Sequence, residues 1–177
     1  MFIRKKRIKG SDYAYLVKNV WTKKGSRQKS RKYLGRVIKP EKIHEKSFYE
    51  HHNITDKDFY FKNSSMKKIF LDLVKLELNR HGFDDNRKGV CESDKLTADL
   101  KSLMVFSEKE SRKITLEMNE GFMCEYSLKK LLSFYAKTDD DKKLAYDLAN
   151  TLVEAGINVE KDVFVEIYQK MTGFILT

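Results

Sequence analysis

Apolar and polar side chains alternate with period two through Tyr13-Ala14-Tyr15-Leu16-Val17-Lys18-Asn19-Val20-Trp21, a run rich in aromatic and β-branched residues, and this predicts a strand. Residues 22–26, with Gly25 among them, form a connection of hairpin length, and residues 27–38 supply the return strand, which Pro40 stops. Upstream, residues 2–8 add a third strand through the turn Lys9-Gly10-Ser11-Asp12. Residues 1–40 therefore predict a three-stranded antiparallel β-ribbon. After Pro40 the alternation stops, and residues 41–64 read as a linker with helical character. The period then becomes that of a helix: Ser64-Ser65 caps a helix over 66–80 whose Ile69, Phe70, Leu73, Val74, Leu76 and Leu78 form an apolar stripe, and His81-Gly82 ends it.

Residues 90–92, 96–100, 104–106 and 113–118 read as short strands, the last two forming a hairpin across the polar turn 107–112. Three helices follow: 128–136 capped by Ser127, 142–155 after the acidic start Asp139-Asp140-Asp141, and 159–172 capped by Asn158. The apolar tail 173–177 is expected to dock on the core or on a partner. The fold class is α+β: a basic N-terminal ribbon, a helix, a small antiparallel sheet and C-terminal helices. The organisation predicted is a ribbon module over 1–40, a connection over 41–64 and an α+β domain over 65–177.

Placing Trp21 opposite Arg27 pairs Asn19 with Lys29, Val17 with Arg31 and Tyr15 with Tyr33. One face of the ribbon then presents Tyr13, Tyr15, Val17, Trp21 and Tyr33 with Arg27, Lys29 and Arg31. The other presents Ala14, Leu16, Val20 and Leu34 with Lys18 and Lys32, and reads as the side that packs on a core. A slip of one residue exchanges the faces.

Charge gives this ribbon a partner. Residues 1–40 hold fourteen of the 36 Lys and Arg side chains and a single acid, Asp12, whereas residues 41–177 hold 22 basic and 25 acidic side chains. The entire excess of +10 in the chain thus sits on the ribbon, which points to a polyanion. Lysine and arginine neutralise phosphates, aromatic rings stack on unpaired bases, and a β-ribbon is slim enough for the major groove of DNA. The expected nucleic-acid contacts are Arg4, Lys5, Lys6, Arg7, Tyr15, Trp21, Lys23, Lys24, Arg27, Lys29, Arg31, Lys32, Tyr33 and Arg36. DNA is favoured over RNA, with mainly phosphate contacts and little sequence specificity, because cations greatly outnumber amide side chains able to read bases. A homodimer or protein partner is assigned to the C-terminal helices.

Other chemistry has weaker support. Two cysteines, Cys91 and Cys124, are too far apart for a CxxC motif and read as isolated buried thiols, which fits a reducing, cytoplasmic location. No run of about 18 apolar residues exists, and the charged start is not followed by the apolar stretch of a secretory leader, so no membrane partner is expected. His44 and His51 stand seven residues apart, too far for the compact histidine pairs of zinc helices. Asp99, Glu117 and Glu120 raise a metal-dependent nuclease, or a component of a DNA-processing complex, as an alternative, but no lysine lies two residues after Glu117. A second alternative is a regulatory module whose ribbon meets an acidic protein. No glycine-rich phosphate loop or nucleophile motif occurs, and neither a cofactor nor a metal is expected.

The segments Tyr13-Ala14-Tyr15-Leu16-Val17-Lys18 and Arg31-Lys32-Tyr33-Leu34-Gly35-Arg36, on either side of a basic loop, resemble the N-terminal β-ribbon of prokaryotic transposases of the IS4-like group and of some archaeal Fic-domain proteins. The resemblance implies a DNA-handling or regulatory adaptor over residues 13–36. It implies no catalysis, because none of His44, His51, His52 and His81 is followed by proline, as a Fic signature would require.

Overall fold

Two antiparallel groups of strands meet at one short parallel seam, and helices cover one end of the resulting sheet. The computed structural model describes residues 1–23, 25–86, 89–93, 95–107, 112–136 and 140–173. The first group is β1 (Phe2–Ile8), β2 (Ser11–Thr22) and β3 (Gly25–Ile38), the predicted ribbon. Its first turn is Lys9-Gly10, both with positive φ (49° and 81°), the backbone of a type I′ hairpin, whose twist matches that of the strands. Two short helices follow, α1 (Phe48–His52) and α2 (Lys57–Asn63), then the long helix α3 (Met66–Arg80). The second group is β4 (Asp84–Asp85), β5 (Val90–Ser93), β6 (Leu96–Asp99), β7 (Met104–Ser107), β8 (Arg112–Met118) and β9 (Gly121–Met123). Helices α4 (Glu125–Leu132), α5 (Asp141–Glu154) and α6 (Lys161–Thr172) complete the described chain.

The α+β class read from the sequence is the class observed, but the ribbon and the small sheet are one sheet, not two. Its strand order is β1-β2-β3-β8-β7-β6-β5-β4, with β9 also paired to β8. The join is the parallel pairing of Arg36, Val37 and Ile38 with Ile114, Thr115 and Leu116. Gly35 makes this join possible. Its φ is +126°, and a Cβ there would lie 2.7 Å from the Lys113 carbonyl oxygen, so only glycine lets β3 come this close to β8. Beside it the fully buried Thr115 hydroxyl donates to the Leu34 carbonyl at 3.0 Å, satisfying a polar group inside the seam.

The main core lies between α3, the inner face of β5 to β9, and α4 to α6, and includes Phe70, Leu73, Leu116, Met123, Leu131 and Ile167. Burial of each such side chain contributes about 1.5–3 kcal/mol. Residues 41–64 are more than a connection, since Phe48 and Phe61 belong to that core. His44 lies in the extended stretch before α1, so the spacing to His51 is not spanned by one helix. A smaller cluster of Ala14, Leu16, Leu34 and Cys124, with Ile3, Val37 and Tyr126 against it, fixes the base of the ribbon to the start of α4.

Two helix starts differ from expectation. Helix α4 begins at Glu125, not after Ser127, because the Ser127 hydroxyl reaches back to accept from the Cys124 N–H at 3.0 Å while donating to the Phe122 carbonyl at 2.6 Å. Helix α6 is capped by Glu160 and not by Asn158, whose N–H donates to Glu77 and whose carbonyl accepts from Arg80. These contacts belong to a buried network in which the Glu77 carboxylate also accepts from Asn119, and Arg80 also pairs with Glu160. A buried carboxylate and guanidinium persist only when paired and hydrogen-bonded in this way, and the pairings tie α3 to the β8–β9 turn and to the start of α6. Residues 174–177 of the predicted docking tail lie outside the described residues. Among the described residues no helix is long and apolar enough to cross a membrane.

Candidate nucleic-acid interface

The ribbon is longer than the sheet that supports it. Strand β1 pairs with β2 only from Ile8↔Ser11 to Phe2↔Val17, whereas β2 and β3 stay paired to Thr22↔Gly25. Beyond Val17 and Ser30 the hairpin is therefore two-stranded, and at about 3.3 Å per residue the five residues from 18 to 22 extend it roughly 17 Å past its neighbour. Every described residue of this arm is exposed except the half-buried Val20. A two-stranded hairpin gains little stability by itself in water, so the arm depends on its base in the larger sheet.

The pairing register decides which side chains share a face. At the base Tyr15 faces Tyr33, as expected from the sequence. Towards the tip Trp21 faces Ser26 and not Arg27, Asn19 faces Gln28 and not Lys29, and Val17 faces Ser30 and not Arg31. Two irregularities, between Ala14 and Tyr15 and between Leu16 and Val17, each place an extra residue in β3, and the second, on the tip side of the Tyr15 and Tyr33 pair, produces this offset. Arg31 is one such residue and has no partner on β2.

Arg27 and Lys29 consequently sit on the opposite face from the one predicted. Arg27 is across from Val20, Lys29 across from Lys18 and Lys32 across from Leu16, so these four cations align on the face that rests on α4 at its inner end. Lys5 lies on this face too, opposite Ala14, and its ammonium pairs with Glu117 at 2.7 Å. Arg7, opposite Asp12, completes it. Among the described residues none of Lys18, Arg27, Lys29 and Arg31 is paired with a carboxylate.

On the other face the rings of Tyr13 and Tyr15 flank that of Tyr33, with centroids 6.2 and 5.5 Å away. The cations here come from β1. Lys6 lies 5.1 Å over the Tyr15 ring and donates to Ser30 at 3.3 Å, and Arg4 donates to Gln28. Tyr33 is 52% exposed and Trp21, further out on the same face, is 83% exposed. Arg36 stands across from Tyr13, and Lys23 is at the tip. Lys24, also expected to contact nucleic acid, lies outside the described residues.

A notch of about 120 Å³ opens where β3 leaves β8, lined by Lys32, Tyr33, Val105, Lys113, Cys124 and Glu125 among others. Of these the sequence marks only Lys32 and Tyr33 as nucleic-acid contacts. Lys113 and Glu125 come near the ribbon through the parallel seam, a long-range pairing for which the sequence carries no local signal.

Several other titratable groups are engaged within the protein. Asp99 accepts from the Lys101 N–H and from the Ser102 hydroxyl, both at 2.8 Å. Among the described residues no group of three or more His, Cys, Asp or Glu side chains is placed to hold a metal ion. Cys91 and Cys124 are both buried and unbridged, and burial pushes the Cys91 thiol up to about 12. Tyr60 donates to Asp72 at 2.6 Å, and its burial together with that carboxylate raises the phenol above its ordinary range. No family model, curated protein or solved structure matches the chain.

Proposed function

We propose that this chain is a non-catalytic nucleic-acid-binding protein, with DNA as the favoured partner, which inserts its β-ribbon arm into a duplex groove and holds the flanking phosphates. The observation that supports it most is the arm itself: a two-stranded projection with aligned cations, no acid between Asp12 and Glu41, and an exposed tryptophan near its end. The B-form major groove, about 12 Å wide, admits a two-stranded ribbon, whereas the deep, narrow major groove of duplex RNA does not. Most cations of the arm would meet phosphates, since Asn19 and Gln28 are the amide side chains it offers to bases.

Fluorescence anisotropy with short labelled DNA and RNA duplexes, over a series of salt concentrations, tests this reading. The expected result is tighter binding of DNA, with log K falling linearly in log salt. Equal or tighter binding of duplex RNA would remove the groove argument, and a lack of affinity for either duplex at low salt would remove the function.

A further inference from the structure

Helix α4 starts beside the ribbon, and its first residue, Glu125, gathers three ammonium groups from three elements. Lys129, one helical turn on, lies 2.7 Å from the carboxylate; Lys113 of β8 lies 3.4 Å away, and Lys32 of β3 lies 3.5 Å away. An ordinary i, i+4 helix pair needs one lysine for one carboxylate. Here two more converge on the same point from strands that meet only at the Gly35 seam, leaving a local surplus of two positive charges. The three pull in one direction, holding the Glu125 carboxyl down to about 2, with the hydrogen bond from Lys129 the largest cause.

The position of this cluster matters as much as its charge. Lys32 is on the same face as the Lys18 and Lys29 pair, two residues further in, or roughly 7 Å along the strand. The cations of the arm thus continue inward through Lys32 to Lys113 and Lys129. Glu125 is the one acid among the described residues lining the notch where they meet.

We propose that Lys32, Lys113 and Lys129 form a phosphate subsite at the base of the arm, and that Glu125 fills it as an internal counter-anion which a backbone phosphate of bound nucleic acid displaces. This rests on the nucleic-acid reading above. The carboxylate and a phosphate oxygen present the same acceptor chemistry to an ammonium, and their exchange breaks no covalent bond. Glu125 therefore lowers affinity and makes it depend on how fully the nucleic acid runs from arm to body.

The test compares Glu125→Gln with Glu45→Gln, each removing one negative charge; Glu45 is an exposed carboxylate paired with Lys42, away from the notch. Both variants, the wild type, a Lys32→Ala/Lys113→Ala double variant and the triple variant that adds Glu125→Gln are titrated with labelled duplex DNA over a salt series. Glutamine keeps the volume of the side chain and its acceptor oxygen, and thermal melts report that each variant is folded. Glu125→Gln is expected to bind at least about fivefold tighter than wild type with an unchanged salt slope, because the same phosphate is neutralised in both but no longer has to displace a carboxylate. Glu45→Gln is expected to change affinity less than about twofold, as a distant screened charge does. In the double-variant background the gain from Glu125→Gln should vanish. Equal effects of Glu125→Gln and Glu45→Gln, or a gain that survives the loss of both lysines, would overturn the subsite while leaving the arm as the binding element. Failure of every protein to bind, wild type included, would overturn the subsite and the nucleic-acid reading together.

Discussion

Trp21 is a large apolar side chain placed where burial cannot explain it. At 83% exposure near the end of a two-stranded arm it contributes little to folding, so Trp21→Ala should change stability by no more than about 0.5 kcal/mol. If its ring stacks on a base, the same substitution costs about 1–3 kcal/mol of binding, roughly 5- to 150-fold in affinity. Urea unfolding paired with anisotropy separates the two quantities, and a variant that binds as tightly as wild type would remove Trp21 from the interface. His51 belongs to the opposite end of the stability scale. Burial, reinforced by neighbouring His52, holds its imidazole down to about 4 against an ordinary 6.5. Above pH 6.5 it is neutral folded or unfolded, and its contribution to stability is complete. Between pH 6.5 and about 4 the unfolded chain takes up a proton that the folded chain refuses, so stability falls with falling pH. Urea unfolding at pH 7 and pH 5 should show wild type losing more stability than His51→Asn, and equal losses would contradict the assignment.

At the level of elements, local pattern carried most of the information. The period-two run from Tyr13 to Trp21 and the 3.6-period stripe of α3 both predict what forms, because each records the one face its element buries. Helix ends were less legible where a cap depends on distant partners: Asn158 has the side chain of a cap, yet its backbone is committed to Glu77 and Arg80 on α3. The interface shows the same division. Its residue types and charge could be read from residues 1–40, including the Tyr15↔Tyr33 pairing. Its two faces could not, because the irregularity between Leu16 and Val17 shifts the register of the arm by one residue, and nothing in the local composition marks it. The result moved Arg27 and Lys29 away from the tyrosines and into line with Lys18 and Lys32. Cations and rings that the sequence placed together on one face are therefore divided between two, and Arg4 and Lys6 of β1 supply the cations beside the rings instead.

For the whole molecule, the single nine-stranded sheet explains why a marginal hairpin can project from it. The arm is continuous with β2 and β3, whose inner halves are held by β1, by the Gly35 seam with β8 and by the contacts of Leu16 and Leu34 with Cys124. Rigidity at the base limits the ordering cost when the arm engages a partner, since fewer side chains and dihedrals remain to be fixed on binding. The body can then be acidic overall without opposing the arm, because a projection of roughly 17 Å exceeds the Debye length of about 8 Å at physiological salt. The most direct measurement removes the arm and leaves its base. Residues 19–28 are replaced by Asn-Gly, which closes the pairing of Lys18 with Lys29 as a two-residue hairpin, and binding of duplex DNA is followed across salt. The account predicts a folded protein with at least about tenfold weaker binding and, with Lys23, Lys24 and Arg27 gone, a salt slope shallower by about 2.7. A folded variant that keeps the affinity and the salt slope of wild type would contradict it.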